Sequence, residues 1–179
     1  MAELTALLTT QSSFSEGRST ISPKRQVQLA KSVGYTHIGL ADWCSVSGAV
    51  ELFETARAEE ITPIIGTTLP VLFPTPPRSA QAEETFPLVL LAKSRTGYAL
   101  ICELITHIRM ERPEGLPLRV LQSAADKGRD HLVCLTGGRQ GLPTVLGERR
   151  ELARCAAHLR QLRTLFPFNL YVQLYHGEA

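Results

Sequence analysis

The sequence predicts an α/β fold, with strands and helices alternating around a mainly parallel sheet or barrel. Two observations carry that reading. Short apolar runs bounded by turn residues recur along the chain, and stretches with helical spacing of apolar residues fall between them, the alternation that βαβ units produce. At 179 residues, 44% apolar and 20% charged, the chain suits one domain spanning residues 1–179 with a sizeable core.

Taken in order, Leu4 to Thr9 reads as a strand, and a Ser/Gly-rich loop follows from Ser12 to Ser22. Pro23 opens a helix carrying Val27, Leu29, Ala30 and Val33, which Gly34 stops, Pro starting and Gly ending helices for opposite backbone reasons. His37 to Ala41 is a buried strand, and Ser47 is placed to cap a helix from Gly48 to about Ala58 with Val50, Phe53 and Ala56 on one face. Pro63 to Leu72 is a third apolar run, Pro74 to Thr85 an exposed loop or hairpin tip, and Leu88 to Ala92 a fourth strand. Gly97 to Arg109 is helical, with Leu100, Ile101, Leu104, Ile105 and Ile108 at the right spacing, and a shorter helix covers Pro117 to Lys127. His131 to Leu135 is a fifth strand closed by Gly137 and Gly138. The longest helix runs from about Thr144 to Leu165, and Leu170 to Leu174 is a last strand.

A formal charge of +2 is too small to argue for nucleic acid by itself. Cys44, Cys102, Cys134 and Cys155 form no Cys-x-x-Cys pair and read as reduced, buried thiols. Leu4 to Leu8 is too short for a signal peptide and no apolar run reaches the ~20 residues of a membrane span, so the expected location is the cytoplasm. In α/β folds chemistry gathers where strands end. That places Thr9 to Gln11, Asp42 to Ser45, Gly66 to Thr68, Thr136 to Gly138 and His176 on the functional face.

Six segments then point to one family. Leu40-Ala-Asp-Trp-Cys-Ser-Val-Ser-Gly-Ala-Val-Glu-Leu52 resembles T-D-H-G-N-L-x-G-A-V-E-F, and Thr62-Pro-Ile-Ile-Gly-Thr-Thr68 is similar to K-P-I-I-G-C-E. Val89-Leu-Leu-Ala-Lys-Ser-Arg-Thr-Gly-Tyr-Ala-Leu-Ile-Cys-Glu-Leu104 resembles L-L-L-A-K-N-x-x-G-Y-x-N-L-x-K-L. Leu135-Thr-Gly-Gly138 looks like L-S-G-C, Tyr171-Val-Gln-Leu-Tyr-His-Gly177 like Y-V-E-L-x-H-H-G one residue short, and Ser13-Phe-Ser-Glu-Gly17 matches S-x-x-D-G. These are motifs of the PHP (polymerase and histidinol phosphatase) domain at the N-terminus of the DNA polymerase III α subunit, leaning toward its error-prone branch. The resemblance implies a distorted seven-stranded β/α barrel. It also implies a further strand with an Asp-x-His pair beyond this chain, so the barrel is expected to be incomplete here, as in a fragment or a truncated relative.

The resemblance further implies a site of clustered divalent metals, zinc or manganese, that activates water for phosphoester hydrolysis; a parent polymerase would use magnesium. Matched residue by residue, that site is dismantled. The opening H-x-H pair falls on Leu7 and Thr9. The next motif keeps Asp42 but its histidine is Trp43, the following glutamate is Thr68, a later histidine is Pro87, and the cysteine of L-S-G-C is Gly138. Asp42 and His176 alone remain as ligands, and three or four protein ligands per ion are the norm. The expected cofactor is none.

Each remaining group has two readings. Asp42 is a relic ligand, or caps the following turn or helix through backbone N–H groups. His176 binds metal, or is exposed near the chain end. Trp43 fills the vacated cavity, with truncation costing about 3–5 kcal/mol, or anchors a partner from the surface. Arg149, Arg150, Arg154, Arg160 and Arg163 fall on one broad side of the long helix, opposite Leu152, Cys155, Leu159, Leu162 and Phe166; they form a solvated face, or contact DNA phosphates or an acidic partner. His37, His107, His131 and His158 match no ligand motif, and no G-x-S-x-G elbow signals a serine hydrolase.

The resemblance therefore implies a non-catalytic scaffold or protein-interaction domain in replication or repair synthesis. Its expected partner is the remainder of an α-type subunit or another replication protein, with DNA only indirectly contacted, no membrane, and a homodimer open through an unpaired strand edge. The alternatives are a phosphoesterase with a rebuilt site and a free-standing PHP-derived binding protein.

Overall fold

The computed structural model describes residues 6–15, 17–75, 83–111 and 114–174. They divide into two compact units at Thr68/Leu69.

The first unit is a βαβαβ run. Strand β1 (Ala6–Thr10), β2 (His37–Trp43) and β3 (Thr62–Pro74, whose residues to Thr68 belong here) pair in parallel, linked by helices α1 (Pro23–Ser32) and α2 (Ala49–Ala58). Val27 and Ala30 of α1, Leu52 and Ala56 of α2, and Ile38, Leu40 and Ile61 make one buried cluster, each large side chain contributing about 1.5–3 kcal/mol on burial. Gly39 is required where it stands, since a Cβ there would strike the Leu8 carbonyl of the neighbouring strand.

Helix α1 begins as expected, with Ser22 Oγ accepting the Arg25 N–H at 3.3 Å and Pro23 in the first turn. It closes in a Schellman motif: Gly34 is left-handed, its N–H bonds the Lys31 carbonyl, and Tyr35 N–H bonds that of Ala30. Helix α2 closes the same way around Glu60, with φ 58°. Ser47 does not cap α2; the N-cap is Gly48, and Ser47 N–H instead bonds Ser45 Oγ. The buried face of α2 is Ala49, Leu52 and Ala56, with Val50 and Phe53 exposed, and Leu29 of α1 and its C-cap Val33 are likewise exposed.

The second unit contains the rest of β3, β4 (Glu83–Ala92), α3 (Arg95–Glu111), the two-residue β5 (Leu116–Pro117), α4 (Leu118–Gly128), β6 (Leu132–Leu135), α5 (Leu142–Glu148), α6 (Leu152–Leu165) and β7 (Leu170–Tyr171). Here the sheet is mixed. β5 runs parallel to β3 and β7 parallel to β6, but β4 and β6 are antiparallel, Val89 opposite Leu135. Phe73 and Phe86, edge-on with ring centres 5.9 Å apart, are fully buried with Leu88, Leu90, Ile101, Leu104 and Phe166.

The single long helix expected over Thr144 to Leu165 is two. Arg150 is left-handed (φ 60°), its N–H bonds the Gly147 carbonyl and Glu151 N–H bonds that of Leu146, another Schellman stop with arginine where glycine is usual. Leu152, expected on the buried side, is 68% exposed. None of the four cysteines is in a disulfide; Cys44 and Cys134 are buried and the other two half-buried. Burial pushes the Cys134 thiol up to about 12.

Candidate functional site

β2 delivers Asp42 and Trp43 to its C-terminal end, in register with Thr67 and Thr68 of β3. Asp42 is fully buried. Its Oδ1 accepts the Ser12 N–H at 2.6 Å and the Ser15 hydroxyl at 2.6 Å, and its Oδ2 accepts the Ser12 hydroxyl at 2.7 Å. Ser12 and Ser15 are themselves fully buried, and Ser15 Oγ accepts the Trp43 N–H at 2.9 Å. A carboxylate offers about four lone-pair sites, and three of them face donors of the protein itself. Asp42 is thus a cap of a kind, but for the loop that precedes α1, not for the turn that follows β2.

The neighbouring hydroxyls are turned into the sheet. Thr67 Oγ1 donates to the Asp42 carbonyl at 2.9 Å and Thr68 Oγ1 to the Ala41 carbonyl at 2.8 Å. Trp43 is half-buried, with the Arg18 guanidinium 3.6 Å from its ring centre, a cation–π contact. It is therefore not the enclosed cavity plug that the sequence suggested, because one face of the indole is covered by a charged, exposed residue.

Of the other ligand positions, Leu7 is exposed and Thr9 half-buried on β1. Pro87 lies on β4, against Gly137, and Gly138 lies in the turn after β6. His176 lies outside the described residues. Leu, Trp, Pro and Gly carry no ligating atom here, the Thr68 hydroxyl is committed to a carbonyl, and Asp42 is committed to serines. Among the described residues no group of three or more His, Cys, Asp or Glu is placed to hold an ion.

The arginine stripe divides. Arg149 and Arg154 both pair with Glu84 of β4, at 2.5 and 2.9 Å, and Arg154 also with Glu151 at 2.9 Å. Burial, the largest single influence on Glu84, pushes its carboxyl up, but the two guanidiniums together hold it below the ordinary value. Arg149 and Arg150 precede α6 and lie in the turn that closes α5, and Arg160 and Arg163 are exposed on α6. The five do not form one helical face.

The residues the sequence reading missed are Ser12 and Ser15. The S-x-x-D-G match, Ser13 to Gly17, spans Ser15 but not Ser12, and its first residue, Ser13, is exposed.

The PHP domain family model matches residues 8–175. The chain belongs to the PHP family. Its PHP domain is 37% identical over 93 residues to the error-prone DNA polymerase of Ralstonia pickettii, covering 52% of this chain and 8% of that protein. It is 28% identical over 159 residues to the DNA polymerase III subunit alpha of Bacillus subtilis, covering 89% of this chain and 14% of that protein. The chain thus matches a small part of the length of these curated relatives. A solved structure of a putative metal-dependent phosphoesterase from Bifidobacterium adolescentis is 14% identical, with a TM-score of 0.41 over 58% of this chain and 34% of that one. Among the described residues no helix is long and apolar enough to cross a membrane.

Proposed function

We propose that residues 1–179 act as one non-catalytic PHP domain of a DNA polymerase III α-type subunit, a scaffold or protein-interaction module for replication or repair synthesis in the cytoplasm. The observation that carries this reading is the state of Asp42. The acid retained at a ligand position is fully buried and spends its oxygens on Ser12 and Ser15, which makes it a fastener of the fold. The polymerase relatives support the replication context, and a partner would be the rest of such a subunit or another replication protein.

Metal content and phosphoester hydrolysis of the purified chain test it together. The expectation is zinc and manganese far below one ion per chain and no chelator-sensitive hydrolysis of a bis-aryl phosphate. Near-stoichiometric metal with hydrolysis abolished by chelator would establish the rival reading, a phosphoesterase with a rebuilt site.

A further inference from the structure

Between α5 and α6 the chain bends where its own residues favour continuing. Glu148-Arg-Arg-Glu-Leu-Ala-Arg154 contains neither glycine nor proline, and all of these residues are strong helix formers. The bend nevertheless turns on Arg150, left-handed at φ 60°. That conformation is costly for any residue with a Cβ, and helix stops ordinarily assign it to glycine. The Glu151 N–H reaches back to the Leu146 carbonyl at 2.9 Å to complete the stop.

Packing supplies part of the reason. The buried residues of α5 are Leu142 and Leu146, and those of α6 are His158, Leu162 and Leu165. On one straight helix at about 100° per residue, the second set would lie roughly 140–200° round from Leu142. No single face could bury both sets. A second hold is electrostatic and spans the bend. Glu84 of β4 takes Arg149, immediately before Arg150, and Arg154, in the first turn of α6, while Arg154 also takes Glu151. The Arg154 side chain is 14% exposed and that of Glu84 21%, so water and salt screen this pair less than a surface pair.

We propose that Glu84 is the latch of this elbow: by holding one arginine on each side of Arg150, it offsets the left-handed conformation there and keeps residues 142–165 as two helices. Without the latch, Arg150 relaxes toward the right-handed region and the Glu151 N–H leaves the Leu146 carbonyl. The junction then opens locally, while the buried residues of the two helices stay packed. Arg160 and Arg163, exposed on α6, stand beyond the elbow, so its state bears on where they are displayed.

Native-state hydrogen exchange of the intact chain tests the latch at the Glu151 amide. Glu84→Gln removes the charge at nearly constant shape and is expected to speed exchange there by at least about tenfold. The Cys134 amide of β6, bonded to the Asn169 carbonyl, is expected to stay unchanged. Arg150→Gly supplies the residue that adopts this bend without strain. Adding Glu84→Gln in that background is therefore expected to speed exchange at Glu151 by less than about threefold. If Glu84→Gln also speeds the Cys134 amide, the whole unit has loosened, and Arg149→Gln, at a half-exposed side chain, decides by the same comparison in the two backgrounds. No acceleration at Glu151, or the same acceleration in both backgrounds, overturns the proposal.

Discussion

Replacing Asp42 with alanine tests the Ser12–Asp42–Ser15 arrangement most directly. Three hydrogen bonds end on this carboxylate, from Ser12 N–H, Ser12 Oγ and Ser15 Oγ, and all three residues are fully buried. A hydrogen bond to a charged group contributes about 1.5–3 kcal/mol, which would sum to roughly 5–9 kcal/mol. The sum overshoots, because bonds within one network do not add, rotated hydroxyls find other acceptors, and the substitution also removes the cost of burying a charge. The worked expectation is a loss of about 3–4 kcal/mol. With a urea dependence near 2 kcal/mol per molar, the unfolding midpoint falls by about 1.5–2 M. Trp43, the one tryptophan of the chain, sits beside the site and reports the transition by fluorescence. Ser15→Ala, which loses one donor to Asp42 and one acceptor for Trp43 N–H, is expected to cost less, about 1–2 kcal/mol. An unchanged midpoint in Asp42→Ala refutes the reasoning. So does a loss of the same size produced in the wild type by chelator alone, since the carboxylate would then be working through an ion.

Four further outcomes follow from single contacts. Glu84 is held below its ordinary value of 4.5 by Arg149 and Arg154 against the opposing effect of burial, so its contribution is present above that value and lost as pH falls through the lowered one; between about pH 7 and about pH 3 the melting temperature of Glu84→Gln should fall less steeply than that of the wild type. Gly97→Ala in α3 would ordinarily favour a helix by up to about 1 kcal/mol, but its Cβ would run into the His131 carbonyl, so denaturant unfolding should show a net loss of about 1–3 kcal/mol, and a gain would show that the contact yields. Trp43→Ala should cost about 1–2 kcal/mol, below the range for an enclosed aromatic, because the indole is half-buried. Arg18→Ala should raise acrylamide quenching of Trp43, and no change would place the guanidinium elsewhere.

The elements set by local chemistry were legible in the sequence. α1 lies between a serine cap with Pro23 and a left-handed Gly34, all visible as residue types. The matching stops at Glu60 and Arg150 use the same backbone geometry with side chains that do not announce it, and so α5 and α6 read as one helix. β4 begins at Glu83, inside the segment read as an exposed loop, because its N-terminal part carries charge on a strand that tertiary pairing, not propensity, selects. The antiparallel pairing of β4 with β6 is equally invisible to an alternation pattern. At the site, the sequence located Asp42 and its strand-end neighbours Trp43 and Thr68. It could not locate the partners, which come from a loop 27 and 30 residues upstream and are plain serines with no spacing signature.

The serine clasp on Asp42 also binds its neighbours to one another. Placing a histidine at position 43 would set one imidazole beside an acid whose oxygens already point at Ser12 and Ser15, and would remove the surface on which Arg18 rests. Freeing the acid first would unfasten the 12–15 loop. Each single change at Trp43 or Asp42 is therefore expected to yield a protein less stable than its starting point.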